Sequence, residues 1–275
     1  AAVVAMHVSA LGAECRYISV VGQDTNATIV ENELERLNVQ HVLVEDNSRP
    51  TTFKIRYLVN NQKMFRVSRM KEHGLSQKVE EKIIKELKDA APKIQGIIVS
   101  DFVYGVITPR ILKTISELSA KHQLLVFGDL QCSSQIGNVS KFKNFELLCP
   151  TEREARIAIG AQDEGVEWVA NTLMSQTNSR NLVMKLGGEG FIAYGTETDG
   201  LVNRQHFPAL SINPVDVSGA GDSLLAALSV GLCSGATLMQ ASAIGASMAS
   251  LAVQKIGNTP VSCQQLREML LKFTN

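Results

Sequence analysis

NPVDVSGAGDSLLAALSVGL, residues 213–232, decides how this chain is read: a strand end, a glycine turn, then a long apolar helix. Gly219, Ala220 and Gly221 carry little side chain, so their backbone N–H groups can converge on one oxyanion at the positive end of the following helix. Asp222 opens that helix beside the same point. A carboxylate there can take the proton of an attacking hydroxyl while the amides hold the charge that develops on a transferring phosphoryl group. The same four residues also fit a tight turn followed by an acidic helix start, and G-x-G-D alone does not separate the two readings.

On either side of the turn, helical and strand patterns alternate, which predicts an α/β fold built on a mostly parallel central sheet with helices on both faces. A first helix carries Val4, Val8 and Leu11 on one face and leads to a strand near 15–21. The helix near 27–37 turns Glu31, Glu33, Glu35 and Arg36 to water. Residues 39–70 have a different texture. They alternate, with Asn60-Asn61 as a hairpin turn, and read as a small β lid outside the main sheet. The core is therefore expected to comprise 1–38 and 71–275. Within it lie an amphipathic helix with Val79, Ile83, Ile84 and Leu87, and a buried strand at 96–100. Further strands are expected near 124–128, 146–149, 182–186 and 191–194, and helices near 222–232, 238–253 and 264–272. The chain begins without methionine, in what reads as the middle of a helix, so a preceding segment is expected.

Composition narrows the classes. The 275 residues suffice for a large core, and 27 basic against 27 acidic residues give no long-range field for nucleic acid or an anionic membrane. Five cysteines, Cys15, Cys132, Cys149, Cys233 and Cys263, form no C-x-x-C pair, which favours free thiols and a cytoplasmic location. The histidines show no metal-ligand spacing and read as surface or packing residues. The stretch 241–253 is interrupted by serines and glycine and is too short to span a bilayer. The N-terminal segment lacks the basic leading region of a signal peptide.

Other polar residues carry two readings each. Asp101 and Asp129 end strands, where ligands of open α/β sheets gather, but a strand-end aspartate also caps the next turn. Pro150-Thr151 with Glu154 reads as an ordinary helix start. Gly187 and Gly190 fit a hairpin turn. Lys54 and Arg56, two apart on a strand, face the same way; they can hold one phosphate together or lie on a solvated sheet edge.

VDVSGAGDS resembles the D-T-x-G-A-G-D signature of the ribokinase-like (PfkB) carbohydrate kinases, with Asp216 at the first aspartate and Val217 for threonine. The resemblance runs through the whole chain in order. It implies a kinase that uses ATP and Mg2+ to phosphorylate a sugar hydroxyl, with Asp222 as base and Gly219, Ala220 and Gly221 as anion hole. VSDFVYG is similar to the S-D-Y-x-K-G segment of the heptose-phosphate kinase domains of bifunctional ADP-heptose synthesis proteins, with Asp101 toward the substrate and Tyr104 at their lysine. Asp129 stands in their D-P-K, followed here by Leu130 and Gln131, and is a candidate metal ligand. LLCPTERE resembles P-N-x-x-E with Thr151 for asparagine, which implies that Glu154 holds magnesium and phosphate through water.

VMKLGGEG resembles the L-G-x-x-G segment, where Gly187 and Gly190 admit nucleotide and Lys185 reaches phosphate. KIGNTPVS resembles the loop near the adenine, with Asn258 for threonine. RPTTFKIRY resembles the P-T-T-x-K-x-R lid, which implies that Lys54 and Arg56 hold a sugar phosphate. Val3 occupies the place of the asparagine in the family's early G-G-x-x-x-N. The flat lid strands also suggest a homodimer. Two alternatives stand: a kinase for an unphosphorylated sugar or nucleoside, with Lys54 and Arg56 as surface residues, and a non-catalytic sugar- or nucleotide-binding regulator.

Overall fold

Successive residues of a buried strand point to opposite faces, so a run of apolar residues needs a cover on each side. The computed structural model, which describes residues 1–59, 62–132, 136–196, 202–211 and 213–272, supplies both covers. Helix α1 (Ala2–Ala10) leads to β1 (Arg16–Val21), α2 (Thr25–Arg36) and β2 (Gln40–Glu45). The hairpin β3 (Phe53–Val59) and β4 (Gln62–Arg69) comes next, then α3 (Gln77–Ala90), β5 (Gly96–Asp101), α4 (Pro109–His122), β6 (Leu125–Leu130) and the short β7 (Leu147–Leu148). Helices α5 (Glu152–Ile159) and α6 (Val166–Thr177) precede β8 (Asn181–Lys185), β9 (Phe191–Thr196) and β10 (Val202–Phe207). The chain closes with α7 (Ala220–Cys233), α8 (Leu238–Ala252) and α9 (Cys263–Leu271).

The main sheet has the order β10-β9-β8-β7-β6-β5; β5 through β8 are parallel, and β9 and β10 join antiparallel. On β6, β7 and β8, Val126, Leu148, Leu182 and Met184 enter one core with residues of α3, α4 and α6, such as Ile83, Ile115 and Leu173. Their neighbours Phe127, Leu147 and Val183 enter a second core with Val4 and Val8 of α1 and Leu224, Leu225 and Leu228 of α7. The parallel strands thus all end on the side from which the loops to α5 and α7 approach.

The β layer expected over 39–70 divides. β2 pairs in parallel register with β1, from Arg16 opposite Gln40 to Val21 opposite Glu45, in a two-stranded sheet apart from the main one, and β3 and β4 form a second small sheet, the hairpin. Apolar alternation marks β2 as a strand without naming its partner. The expected Asn60-Asn61 turn lies outside the described residues. Three elements go beyond what the pattern predicts: α4, α6 and β10. Helix α4 was signalled by its ends, since the Thr108 hydroxyl accepts from Ile111 N and Pro109 sits in the first turn. β10 is an exposed edge strand with no buried face along most of its length, so it leaves no alternation to read. Among the described residues, no helix is long and apolar enough to cross a membrane.

His7 joins the two ends of the fold. It is buried on α1, and its Nδ1 accepts from Val261 N at 3.3 Å, beside the start of α9. Burial pushes its pKa down from 6.5 to about 4. The unfolded chain therefore takes up a proton in this interval that the folded chain refuses. The stabilisation is complete above about pH 6.5 and is lost as pH falls toward 4, on the order of 3 kcal/mol in all. Denaturant midpoints at pH 7.5 and 5 should fall less for His7→Asn, whose amide oxygen can accept the same bond without titrating, than for the unmodified protein. Equal losses would remove His7 as the source.

Candidate active site

Gly219 caps α7 with φ +84°, and no side chain caps this helix. The positive φ is what favours glycine here, and a Cβ would also meet Asn258 Oδ1 at 2.4 Å, the movable end of an exposed side chain. No side chain caps the first-turn amides, which lie at the positive end of the dipole; Ala220 N donates to Val217 O at 3.4 Å, and Ser223 N reaches the first helix carbonyl, Gly219 O, at 2.9 Å. Asp216 holds the approach to this turn, its carboxylate accepting from Ser218 N at 3.0 Å and Gly257 N at 3.2 Å. Val215 N and Asp216 N donate to Val253 O. The 213–219 and 253–258 loops are thereby fastened together, and Val217 and Ile256 remain exposed on them.

Asp222 is 8% exposed and sits in the first turn of α7. Its Oδ1 accepts from Gln131 Nε2 at 2.9 Å, and the same nitrogen donates to Asp129 Oδ2 at 3.2 Å. Asp129 Oδ1 accepts from Lys185 Nζ at 2.6 Å. Burial alone would lower the Lys185 pKa, but the charges of Asp129 and Glu154 outweigh it and hold the amine above its usual value, fully protonated. A Cβ on Gly221 would lie 3.5 Å from Lys185 Nζ, so this ammonium stands beside the glycine turn. Burial pushes the nearby Cys149 thiol up, well away from thiolate chemistry.

Asp129 itself is fully buried, with both oxygens engaged, which makes it the anchor of Lys185 and Gln131 rather than an open metal position. Glu154 completes a capping box with Thr151 on α5 and also accepts from Cys132 N at 2.9 Å. The helix-start reading holds, and Glu154 in addition ties α5 to the segment after β6. Gly190, at φ +90°, is required by backbone packing, since a Cβ there would meet Phe207 O at 2.1 Å. Gly187 faces open space and leaves room for a ligand.

Asp101 is 3% exposed; its carboxylate accepts from Val103 N at 2.8 Å and pairs with Lys141. It orders the 101–104 segment instead of presenting a bare carboxylate to solvent. Lys141 had no signal in the sequence, because it reaches Asp101 from a single 3-10 turn, Val139–Lys141, forty residues on. The lid comes down on the same segment. Lys54 Nζ lies 5.0 Å from the Phe102 ring and 5.1 Å from the buried Tyr104 ring, within cation–π range. Arg56 is exposed on the same lid face and registers opposite Arg66.

Arg49 braces the lid roots. It donates to Asp46 Oδ2 at 2.8 Å, Tyr104 O at 2.9 Å and His73 O at 2.7 Å. His41, expected to be a surface or packing residue, is brought by β2 beside Glu31 and Glu35 of α2, with one ligand atom from each of the three within 4.8 Å of the others. Among the described residues, this is the one such trio of potential ligands, and it involves none of the residues at the turn.

A sequence profile described as pfkB family carbohydrate kinase matches residues 1–264. The Bifunctional protein HldE of Trichlorobacter lovleyi is 29% identical over 263 residues, covering 94% of this chain and 52% of that protein. HldE of Bradyrhizobium diazoefficiens is 30% identical over 277 residues, covering 98% and 54%. The chain therefore spans about half the length of the curated relatives it matches. Among solved structures, phosphofructokinase-2 from Escherichia coli in complex with substrates and products superposes with a TM-score of 0.80 at 18% identity, over 99% of this chain and 87% of that one. Ribokinase from Giardia lamblia gives 0.79 at 15% identity, over 97% and 87%. The fold is ribokinase-like, and the match along nearly the whole length, glycine turn included, means that the chain belongs to the pfkB family of carbohydrate kinases.

Proposed function

We propose that this carbohydrate kinase transfers the γ-phosphoryl group of ATP to a hydroxyl of a heptose-phosphate-like sugar phosphate, with Asp222 as general base. The observation that carries the reading is the placement of the Asp222 carboxylate in the same helical turn as the uncapped amides after Gly219, with the Lys185 ammonium alongside. Asp222 takes the hydroxyl proton, and the hydroxyl oxygen attacks the phosphorus as the bond to ADP breaks. The amides of Ala220 and Gly221 and the Lys185 charge then stabilise the equatorial oxygens. Val217 and Ile256, exposed on the fastened loops, offer an apolar seat for the purine beside Asn258.

Magnesium fits this site as an ion carried by the triphosphate, because Asp129 is fully engaged while each Glu154 oxygen has one backbone donor and a second lone pair for a water. When bound, the ion would neutralise the β- and γ-phosphate oxygens. The acceptor phosphate is assigned to the lid. Arg56, in register with Arg66, and Lys54, over Phe102 and Tyr104, put three basic side chains on one lid face, a setting that suits a phosphate. The HldE relatives support a heptose phosphate among sugar phosphates. The opposite lid face exposes Tyr57 (44%) and Phe65 (59%), stacked at 4.4 Å, with Val67 beside them. This apolar face suits a second copy of the chain and supports a homodimer.

ATP consumption against a panel of sugars and sugar phosphates should rise with one phosphorylated acceptor, and Asp222→Asn should lower kcat by about a hundredfold to ten-thousandfold. Lys54→Met should raise KM for that acceptor about tenfold to a hundredfold, the worth of one charge-assisted bond. A best acceptor without phosphate and a silent Lys54→Met would return the lid cations to the surface. ATP binding without phosphorylation of any acceptor would favour the regulator. Sedimentation at micromolar concentration should show a dimer that Phe65→Asp dissociates; a monomer before substitution would overturn the pairing.

A further inference from the structure

Gln131 lies immediately beyond β6, and its place is set before its side chain is considered, because Gln131 N donates to Asp101 O at 2.8 Å. Its carboxamide then stands between two carboxylates on different elements, Asp129 of β6 and Asp222 of α7. Carboxylate oxygens only accept, so the group between them must donate, and the amide NH2 is the end that faces both. One proton goes to Asp222 Oδ1 at 2.9 Å and the other to Asp129 Oδ2 at 3.2 Å. Lys185 occupies the remaining oxygen of Asp129 at 2.6 Å, so Asp129 cannot turn away. Each member of the row Lys185, Asp129, Gln131, Asp222 is held by the one before it.

We infer that Gln131 is a positioning residue for phosphoryl transfer: it fixes Oδ1 of Asp222, so that Oδ2 is the oxygen presented to the acceptor hydroxyl beside the Gly219–Gly221 turn. The inference rests on Asp222 acting as the base. A neutral amide suits this work. It satisfies two buried acceptors without pairing off the charge of the carboxylate that must take the proton, and its two hydrogens set the spacing between the end of β6 and the start of α7. A carboxylate free to rotate about its Cβ–Cγ bond would lose the alignment on which a base depends, and small misplacements of reacting groups are costly.

The test compares Gln131→Leu, Gln131→Glu and Asp222→Asn in steady-state kinetics, with thermal melts to establish folding. Gln131→Leu keeps the side-chain volume and removes both donors. It should lower kcat about tenfold to a hundredfold while KM for ATP and for the acceptor stay within about twofold. In Gln131→Glu the new carboxyl faces Asp129 and Asp222, with Lys185 behind Asp129, and like charges favour its protonated form. Its activity relative to the unmodified enzyme should therefore rise as pH falls from 8 to 6, since the protonated acid regains one donor. A role confined to holding β6 against α7 predicts a lower melt and a pH-independent ratio. Unchanged kcat in Gln131→Leu beside an inactive Asp222→Asn overturns Gln131 and leaves the base standing. A fully active Asp222→Asn overturns the base itself. If Gln131→Leu does not fold, the pH dependence of the Gln131→Glu ratio decides.

Discussion

A carboxylate with no exposure to water, Asp129 at the end of β6, is the constraint around which the site is organised. An isolated charge in that position would be expelled or neutralised, so partners must be brought to it from elsewhere in the chain. Lys185 comes from the end of β8, and the Gln131 amide from the strand's own exit. The ammonium that neutralises Asp129 stands beside Gly221, and the amide that satisfies its other oxygen reaches Asp222. Electrostatic necessity in the interior thus delivers a cation and a donor to the glycine turn at the start of α7.

The segment that follows β6 spreads this order to the rest of the site. Gln131 N is bonded to Asp101 O, and Cys132 N to Glu154, so the ends of β5 and β6 and the start of α5 are tied together. Asp101 in turn orders the turn that carries Phe102 and Tyr104, onto which Lys54 of the lid is drawn. Arg49 and Asp46, a buried pair at the root of the lid, secure the carbonyl of Tyr104 from the other side. Burial works against the Asp46 charge, yet the hydrogen bonds from Ser48 and Arg49 hold its carboxyl below the usual range. The lid of this pfkB-family kinase and its glycine turn are therefore joined by short polar links through strand ends, not through the apolar cores.

Much of the fold was legible because burial imposes periodicity. The strands β5, β6 and β8 read as unbroken apolar runs since both of their faces are covered, and α3 and α7 announced themselves by their apolar residues. The partner of β2 was not legible, because alternation records how a strand is buried but not which neighbour it pairs with. Nor was β10, an edge strand with little to bury. In the site, Gly219 and Asp222 stood out because a turn at positive φ and an acidic helix start leave a local mark. Lys141 and the bridging Gln131 leave none: a single lysine or glutamine in a loop looks the same whether it faces water or a carboxylate ninety residues away.

What the amino-acid sequence determined by itself is local: the order of helices and strands, the glycine turn, the acid in the helix that follows, and the alternating basic face of β3. These depend on backbone sterics and on the period of burial, both confined to a few neighbouring residues. Tertiary structure decided which charges meet. It spent Lys185 on Asp129, gave Asp101 to Lys141, placed Lys54 over two aromatic rings and set Gln131 against Asp222. The physical reason is that a buried charge must find its partner wherever the fold brings one, and strand ends far apart in sequence converge at one edge of a parallel sheet.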